Sequence, residues 1–413
     1  ETLDSSIIDL IKKTWSIVME VNFEKLIKKT QTSCPCCSNL AEEAINLPKY
    51  PLTEFYKEVD DKRNLFGFID QNLLFCQSCN HLFLEKVLDA SKIYNESNYI
   101  TSSISSQGAS ECINDFVDFI KNTTDKSELN GSTLIDIGGN DSTLLKYFIG
   151  VTDNLINVDP NASSDNESIS IHRDFLEKVD FSEFDSEKQK VFISSHTIEH
   201  LEDPAKLLRK LCKIINKNDI LYLQFPSMEK LVEQGRYDQI CHQHINYFSL
   251  SSISKLMEPE GLYVQEYEYD TSHFGTLRVK IERSISSHVK YKSFDLADVI
   301  NTYSMFTNYY SSLNDSILDT FNNGQGFGAG LMVPTLAYNL PLIDDLSVII
   351  DENPLRIEKK FINLMPPIYG IDNLDTSKPV LITSISTKAA ARAIFFKLTS
   401  LGIKDICIPS TII

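Results

Sequence analysis

The 413 residues are enough for two or three domains, and a hydrophobic fraction of 42% supplies ample core. A formal net charge of -18 excludes non-specific binding to nucleic acid or to an anionic membrane surface, since both need basic surface to displace counterions. No run of eighteen apolar residues occurs, and the opening ETLDSSIIDLIKKTW lacks the basic-then-apolar pattern of a signal peptide, so the expected compartment is the cytoplasm.

In chain order, the stretch 3–30 has apolar residues at mostly helical spacing and is expected to form one or two helices. Two Cys-x-x-Cys knuckles follow, Cys34 with Cys37 and Cys76 with Cys79. Four thiolates in this arrangement can surround one tetrahedral Zn²⁺, and because the protein fills all four positions the ion is expected to be structural. Cys36 lies inside the first knuckle and competes for its register, and His81 is a weaker candidate.

From residue 132 the pattern changes to short apolar runs, TLIDI, NLINVDP, KVFISSH and DILYLQFP, each trailed by a longer mixed segment such as DPAKLLRKLCKIINK. This alternation predicts an α/β fold, a parallel sheet covered by helices, closed by the late strands LYVQEYEYD and TLRVKIER. A helical stretch, VINTYSMFTNYYSSLNDSILDTFNN, and a second set of apolar runs predict a smaller α/β unit at the C-terminus. The expected division is 1–105 for the N-terminal helices and zinc domain, 106–287 for the central domain and 288–413 for the last. GQGFGAG fits a second dinucleotide turn only loosely, because the segment before it reads as helix rather than strand.

Three places along the chain carry chemistry. In TLIDIGGNDSTLLKYF a strand ending near Asp136 runs into Gly138, Gly139 and Asn140, ahead of a helix that Asp141 or Ser142 is placed to cap. Glycines at the carboxyl end of a first strand let a ligand approach the backbone. The next strand ends in NVDP, which puts Asp159 where a carboxylate grips a ribose diol. The turn lacks the G-x-G-x-x-G of a pyrophosphate cradle and suits S-adenosylmethionine (SAM) instead. SSHTIEHLEDP brings Ser195, His196, His200 and Asp203 toward the same sheet edge. In YDQICHQHINYFS, residues 237–249, His242 and His244 are two apart and cannot share one helix face, but in an extended or looped segment either can face a cleft. Cys241 reads as a small packed residue, and Tyr247 and Phe248 read as core.

With these parts in this order, the chain resembles the sugar C-methyltransferases that act at C-3′ of nucleotide-linked 4-keto-6-deoxyhexoses. The resemblance runs from about Cys34 to the end and rests on YPLTEFY, IYNESNY, LIDIGGNDSTLLKYF, NVDP, HTIEHLEDP, YDQICHQHINYFSLSSI, SHFGTLRV, GFGAG and IIDENPLR. It implies a class I SAM-dependent methyltransferase (Rossmann-like) domain flanked by an N-terminal zinc-binding domain and a C-terminal α/β Rossmann-like domain. SAM and structural Zn²⁺ are the implied cofactors, and a small molecule, a nucleotide sugar, is the implied substrate; no nucleic-acid or membrane partner is expected. His244 takes the position of the base that removes the C-3′ proton, with His200 as polar partner and Cys241, His242 and Gln243 beside it. Asp136, Gly138, Gly139, Asn140, Asp159, Ser195 and His196 fall in the cofactor motifs, and Tyr94, Tyr99, His273 and Arg278 in the substrate motifs.

The departures are specific. Cys241 stands for the family's Tyr, Gln243 for its Glu and Gln224 for a common Glu; Phe274 replaces a Gly, and Met332 replaces a Lys in the C-terminal Gly-rich turn. A neutral Gln cannot raise the pKa of a neighbouring His as a carboxylate does. These changes leave two alternatives open, methyl transfer to a hydroxyl or amine, and a non-catalytic relative that binds a nucleotide sugar.

Overall fold

The computed structural model describes residues 26–61, 67–89, 107–152, 154–176, 178–184, 188–270, 275–285, 289–384 and 388–409. Its centre is a seven-stranded sheet of β1 (Thr133–Ile137), β2 (Asn154–Val158), β3 (Ile169–His172), β4 (Lys190–Ser195), β5 (Ile220–Pro226), β6 (Leu262–Tyr269) and β7 (Thr276–Arg283). The order across the sheet is β3-β2-β1-β4-β5-β7-β6. The first five strands are parallel, and β7 runs antiparallel to both of its neighbours. All residues of β1 and β5 are buried, which is why these strands read as apolar runs rather than alternating ones.

Helices cover both faces. Phe116, Phe119 and Ile120 of the helix Gln107–Thr123 pack with Leu134 and Tyr222 on one side. On the other, Leu207, Leu208 and Leu211 of the helix Pro204–Cys212 pack with Phe192, Leu221 and Leu223. That second helix starts where the sequence says it should. Asp203 Oδ1 accepts from the Lys206 N–H at 3.0 Å, and Pro204 occupies the first turn, where its missing N–H costs nothing.

The sheets on either side exchange strands with other parts of the chain. An N-terminal sheet has the order Asn246–Tyr247, His81–Leu84, Phe68–Cys76, Glu42–Pro51, so two residues of the 237–249 loop form its edge. A C-terminal sheet has the order Ile406–Cys407, Val380–Ile382, Gln325–Phe327, Val348–Ile350, Ile368–Tyr369, Lys359–Phe361, Tyr56–Glu58, so its far edge comes from the N-terminal part. One buried cluster follows these exchanges, joining Leu73 and Phe75, Tyr237, Ile240 and Tyr247 of the loop, and Ala329, Val333 and Ile349.

One expectation is corrected. Ile27–Thr30, at the end of the stretch expected to be helical, is a strand paired antiparallel with Lys86–Leu88; the cross-strand partner overrides the local helical spacing. The segment ahead of GQGFGAG is helical as expected, and within the motif Gln325–Phe327 forms a strand with parallel partners on both sides. The expected helix 299–323 is present as Leu296–Phe321. Among the described residues no helix is long and apolar enough to cross a membrane.

Candidate active site

The strand order reverses between β1 and β4, and both of their carboxyl ends carry site residues, which is where open α/β sheets place ligands. After β1 the chain turns through Gly138 at φ +82, Asn140 at +40 and Ser142 at +60. A Cβ on Gly138 would lie 2.2 Å from Thr197 Oγ1, and one on Gly139 2.5 Å from Asn157 Oδ1 and 2.8 Å from Asp136 Oδ2. Both positions therefore demand glycine. Asn157 ties the turn from below, donating to Asn140 O at 3.0 Å and Ser142 Oγ at 2.7 Å. The helix that follows is a single turn, Thr143–Lys146, with Asp141 Oδ1 accepting from the Thr143 N–H at 3.2 Å. Asp159 is held by the Asn161 N–H at 2.7 Å.

This cradle contains polar atoms without protein partners. Asp136 Oδ2 and Asn157 Oδ1 are buried and accept no hydrogen bond. Burial, with Asp159 and Asp141 nearby, pushes the Asp136 carboxyl up to about 8. Burial likewise raises Asp159. Acidic and carbonyl acceptors beside a backbone opened by glycine fit a ligand that brings cationic and hydroxyl donors, as SAM does with its ammonium, sulfonium and ribose.

After β4 the chain turns at His196, φ +50, and a short 3₁₀ turn, Ile198–His200. Ser195 Oγ accepts from Gln224 Nε2 at 2.8 Å. His196 Nδ1 lies 3.1 Å from Glu199 Oε1, and its Nε2 lies 3.6 Å from Cys112 Sγ on the helix Gln107–Thr123. Burial would lower His196, but the bonds to Cys112 and Glu199 carry it up to about 10. Burial would raise Glu199, yet the bond from His196 and the adjacent imidazoles of His200 and His244 hold it at about 2. Glu199 is therefore an ionised buried carboxylate, with Oε2 unpartnered.

The loop meets this turn through its histidines. Glu199, His200 and His244 each bring one donor atom within 4.8 Å of the others, and the His200 and His244 rings cross at 66° with centroids 5.0 Å apart. His200 Nδ1 is 2.9 Å from the Gln243 carbonyl. A carbonyl only accepts, so Nδ1 carries a proton. His244 Nδ1 is buried without a partner, and burial first, then His200, lowers this ring to about 3. His242 is deeper; Thr53 donates its N–H to Nδ1 at 3.3 Å, and burial lowers the ring to about 3. Cys241 is fully buried, and burial pushes its thiol up to about 12, in keeping with a packed residue. The Gln243 side chain donates to Glu54.

Arg278, expected among substrate-binding residues, is buried on β7, with bonds to Gln224 at 2.8 Å, Glu268 at 2.7 Å and Asp270 at 3.0 Å, and Asp115 3.5 Å away. It cross-braces β5, β6 and β7 and also fixes Gln224 against Ser195. Tyr94, Tyr99 and His273 lie outside the described residues.

The cysteine quartet is assembled. Cys34 and Cys79 have Sγ atoms 3.5 Å apart, as do Cys37 and Cys76, and all four donors lie within 4.8 Å of one another. That is far from a disulfide at ~2.05 Å and near the roughly 3.8 Å that a tetrahedron of ~2.3 Å Zn–S bonds requires. These donors fit zinc. Cys36 stays outside the set, its N–H directed at Cys34 Sγ at 3.4 Å. His81 is also outside it, with Nε2 3.2 Å from Asn246 Oδ1. Sequence reasoning passes over Thr53, Glu54, Cys112, Asn157 and Glu199. Thr53, Glu54 and Glu199 sit inside the quoted stretches YPLTEFY and HTIEHLEDP, where nothing but the fold says what they face.

The methyltransferase domain family matches residues 109–267. With the strand order above, the central part of the chain is a class I SAM-dependent methyltransferase domain of Rossmann-like α/β fold. The chain is similar to the C-methyltransferase NovU of Streptomyces niveus, 21% identical over 226 residues, 52% of each protein, so it spans about half the length of that curated relative. Solved structures with partial likeness include the putative methyltransferase in complex with the Trm112 activator of Haloferax volcanii, with 14% identity, a TM-score of 0.31, and 44% of this chain and 99% of that one covered. Another is magnesium protoporphyrin IX methyltransferase of Synechocystis PCC 6803 with bound SAH, with 13% identity, a TM-score of 0.34, and coverage of 47% and 92%.

Proposed function

We propose that this protein methylates a carbon next to the ketone of a nucleotide-linked 4-keto-deoxysugar, with His244 as the base. The observation that carries the reading is His244 itself, a neutral, half-buried imidazole whose buried Nδ1 has no partner, beside the ionised Glu199. Alkylating carbon requires an enolate, and so a base that can hold the carbon's proton. A neutral ring has the lone pair to take it, and the Glu199 carboxylate stabilises the resulting imidazolium. His200 brings a ring nitrogen within 4.8 Å of the donor atoms of Glu199 and His244. Thr197 against Gly138 and Glu199–His200 belong to one turn, which joins the cofactor cradle to the histidines. SAM, when bound, supplies a methyl group on a sulfonium; Asp136, Gly138, Gly139, Asn140 and Asp159 are the residues to hold it. Zn²⁺ on Cys34, Cys37, Cys76 and Cys79 has a structural role in this reading. NovU, named a C-methyltransferase, supports the choice of carbon.

A second reading, transfer to a hydroxyl or amine, is favoured by Gln243, which leaves the loop with no acid between its histidines. Mass spectrometry of zinc-replete protein with SAM, a panel of nucleotide 4-keto-6-deoxyhexoses and matching non-keto sugars separates the two. A gain of one methyl confined to the ketones, attached to carbon by NMR and lost in His244→Asn, is expected. Methylation of the non-keto sugars supports the second reading, and SAM binding with no turnover on any sugar would overturn the catalytic assignment.

A further inference from the structure

Gln243 has no acid beside it in the loop, yet its side chain meets one: Nε2 donates to Glu54 Oε2, 189 positions back along the chain. The preceding residue grips the loop as well, since the Thr53 N–H donates to His242 Nδ1. Two consecutive residues thus hold two consecutive residues of the loop. The segment that bears them is anchored on its other side. Leu52 O accepts from Asn363 Nδ2 at 2.8 Å, Phe55 O accepts from the Ile362 N–H at 3.1 Å, and Tyr56–Glu58 is the edge strand of the C-terminal sheet.

Glu54 is unfavourable in its place on two counts. Its backbone has φ +66, a left-handed conformation that costs a non-glycine residue of order 1–3 kcal/mol. Its carboxyl is buried, and burial raises it to about 7, against the opposing pull of Gln243 and Arg356. A strained, buried acid persists where surrounding structure enforces it, and here its side-chain partner is the residue between the two histidines. On the other side of Gln243, the carbonyl takes the His200 Nδ1 proton.

We infer that Glu54 is a positioning residue of the histidine site: it supplies from the 52–56 strap the carboxylate that the loop lacks. Through Gln243 it fixes the carbonyl that sets the tautomer of His200. The inference rests on the reading of the histidines as the reacting groups.

The test is a charge swap in the full chain, comparing Glu54→Gln, Gln243→Glu and the double variant, with Gln243→Ala as a control that leaves the strained backbone untouched. Ring-nitrogen NMR of ¹⁵N-histidine protein with SAH bound reads the His200 tautomer without any sugar. Glu54→Gln and Gln243→Ala are expected to lose the Nδ1–H preference and to lower kcat by about tenfold or more, with KM for SAM little changed. The double variant restores an acid–amide pair of reversed polarity and recovers both. Unchanged His200 signals in Glu54→Gln and Gln243→Ala, or a double variant no better than the worse single one, would overturn the inference. Because the spectra need no sugar, failure of the substrate panel overturns the substrate reading and leaves this test standing.

Discussion

Asp136 shows most plainly what the proposed SAM cradle costs in stability. Its Oδ2 is buried with no partner, its neighbours Asp159 and Asp141 are acidic, and its carboxyl is raised to about 8 from 3.8. Glu54 is raised to about 7 from 4.5. For both acids the folded form holds its proton more tightly than the unfolded one, so their contribution is fully present below pH about 4 and is lost as pH rises through 7 to 8. Ligand-free protein is therefore expected to lose stability between pH 6 and pH 9. Asp136→Asn should flatten that slope and stabilise the ligand-free protein at pH 8.5 by about 1–3 kcal/mol, because the neutral amide removes the buried negative charge. The same variant should weaken SAM binding ten- to a hundredfold, as loss of a charged acceptor does. Urea melts at the two pH values and calorimetric titration with SAM check this. A wild-type slope matched by Asp136→Asn would remove Asp136 as its source.

At the scale of elements, much of the central sheet was legible. Continuous apolar runs marked the buried parallel strands, Asp203 marked a helix start, and Gly138–Gly139 marked the tight turn after β1, because each signal is local. The Cys-x-x-Cys spacing is local in the same way. What stayed hidden depends on partners distant in sequence. Asn246–Tyr247 is a strand because His81–Leu84 lies beside it, and Tyr56–Glu58 because Lys359–Phe361 does. Gln325–Phe327 was too short and glycine-bearing to read as a strand without Val348–Ile350 and Val380–Ile382 on its flanks. The resemblance placed Arg278 of SHFGTLRV in a substrate motif, and the acids that engage it, Glu268, Asp270 and Asp115, come from β6 and the residue after it and from a helix. The shared edge also makes a prediction. Chelating the zinc proposed for the four cysteines, or Cys79→Ser, should loosen residues 81–84 and with them 246–250, since Asn246 is held by His81 and by Leu201 O at 2.7 Å. Hydrogen exchange should show faster exchange in both segments; an increase confined to the knuckles would contradict the coupling.

The whole molecule brings three sheets to one loop. The central sheet offers the proposed cofactor cradle and the Glu199–His200 turn, the N-terminal sheet takes the loop as its edge strand, and the strap 52–56 ties the loop's His242 and Gln243 to the C-terminal sheet. That convergence keeps His244 half-buried and neutral while leaving its buried Nδ1 without a protein partner. The most direct test of its role is solvent exchange in D₂O, followed by proton NMR on a nucleotide 4-keto-6-deoxyhexose with the protein and SAH, where no methyl can be transferred. The account predicts deuterium entering at the carbon beside the ketone with wild-type protein, and loss of that exchange in His244→Asn while SAH still binds. Exchange that persists undiminished in His244→Asn, or methyl transfer by a wild-type protein that never exchanges this proton, would contradict it.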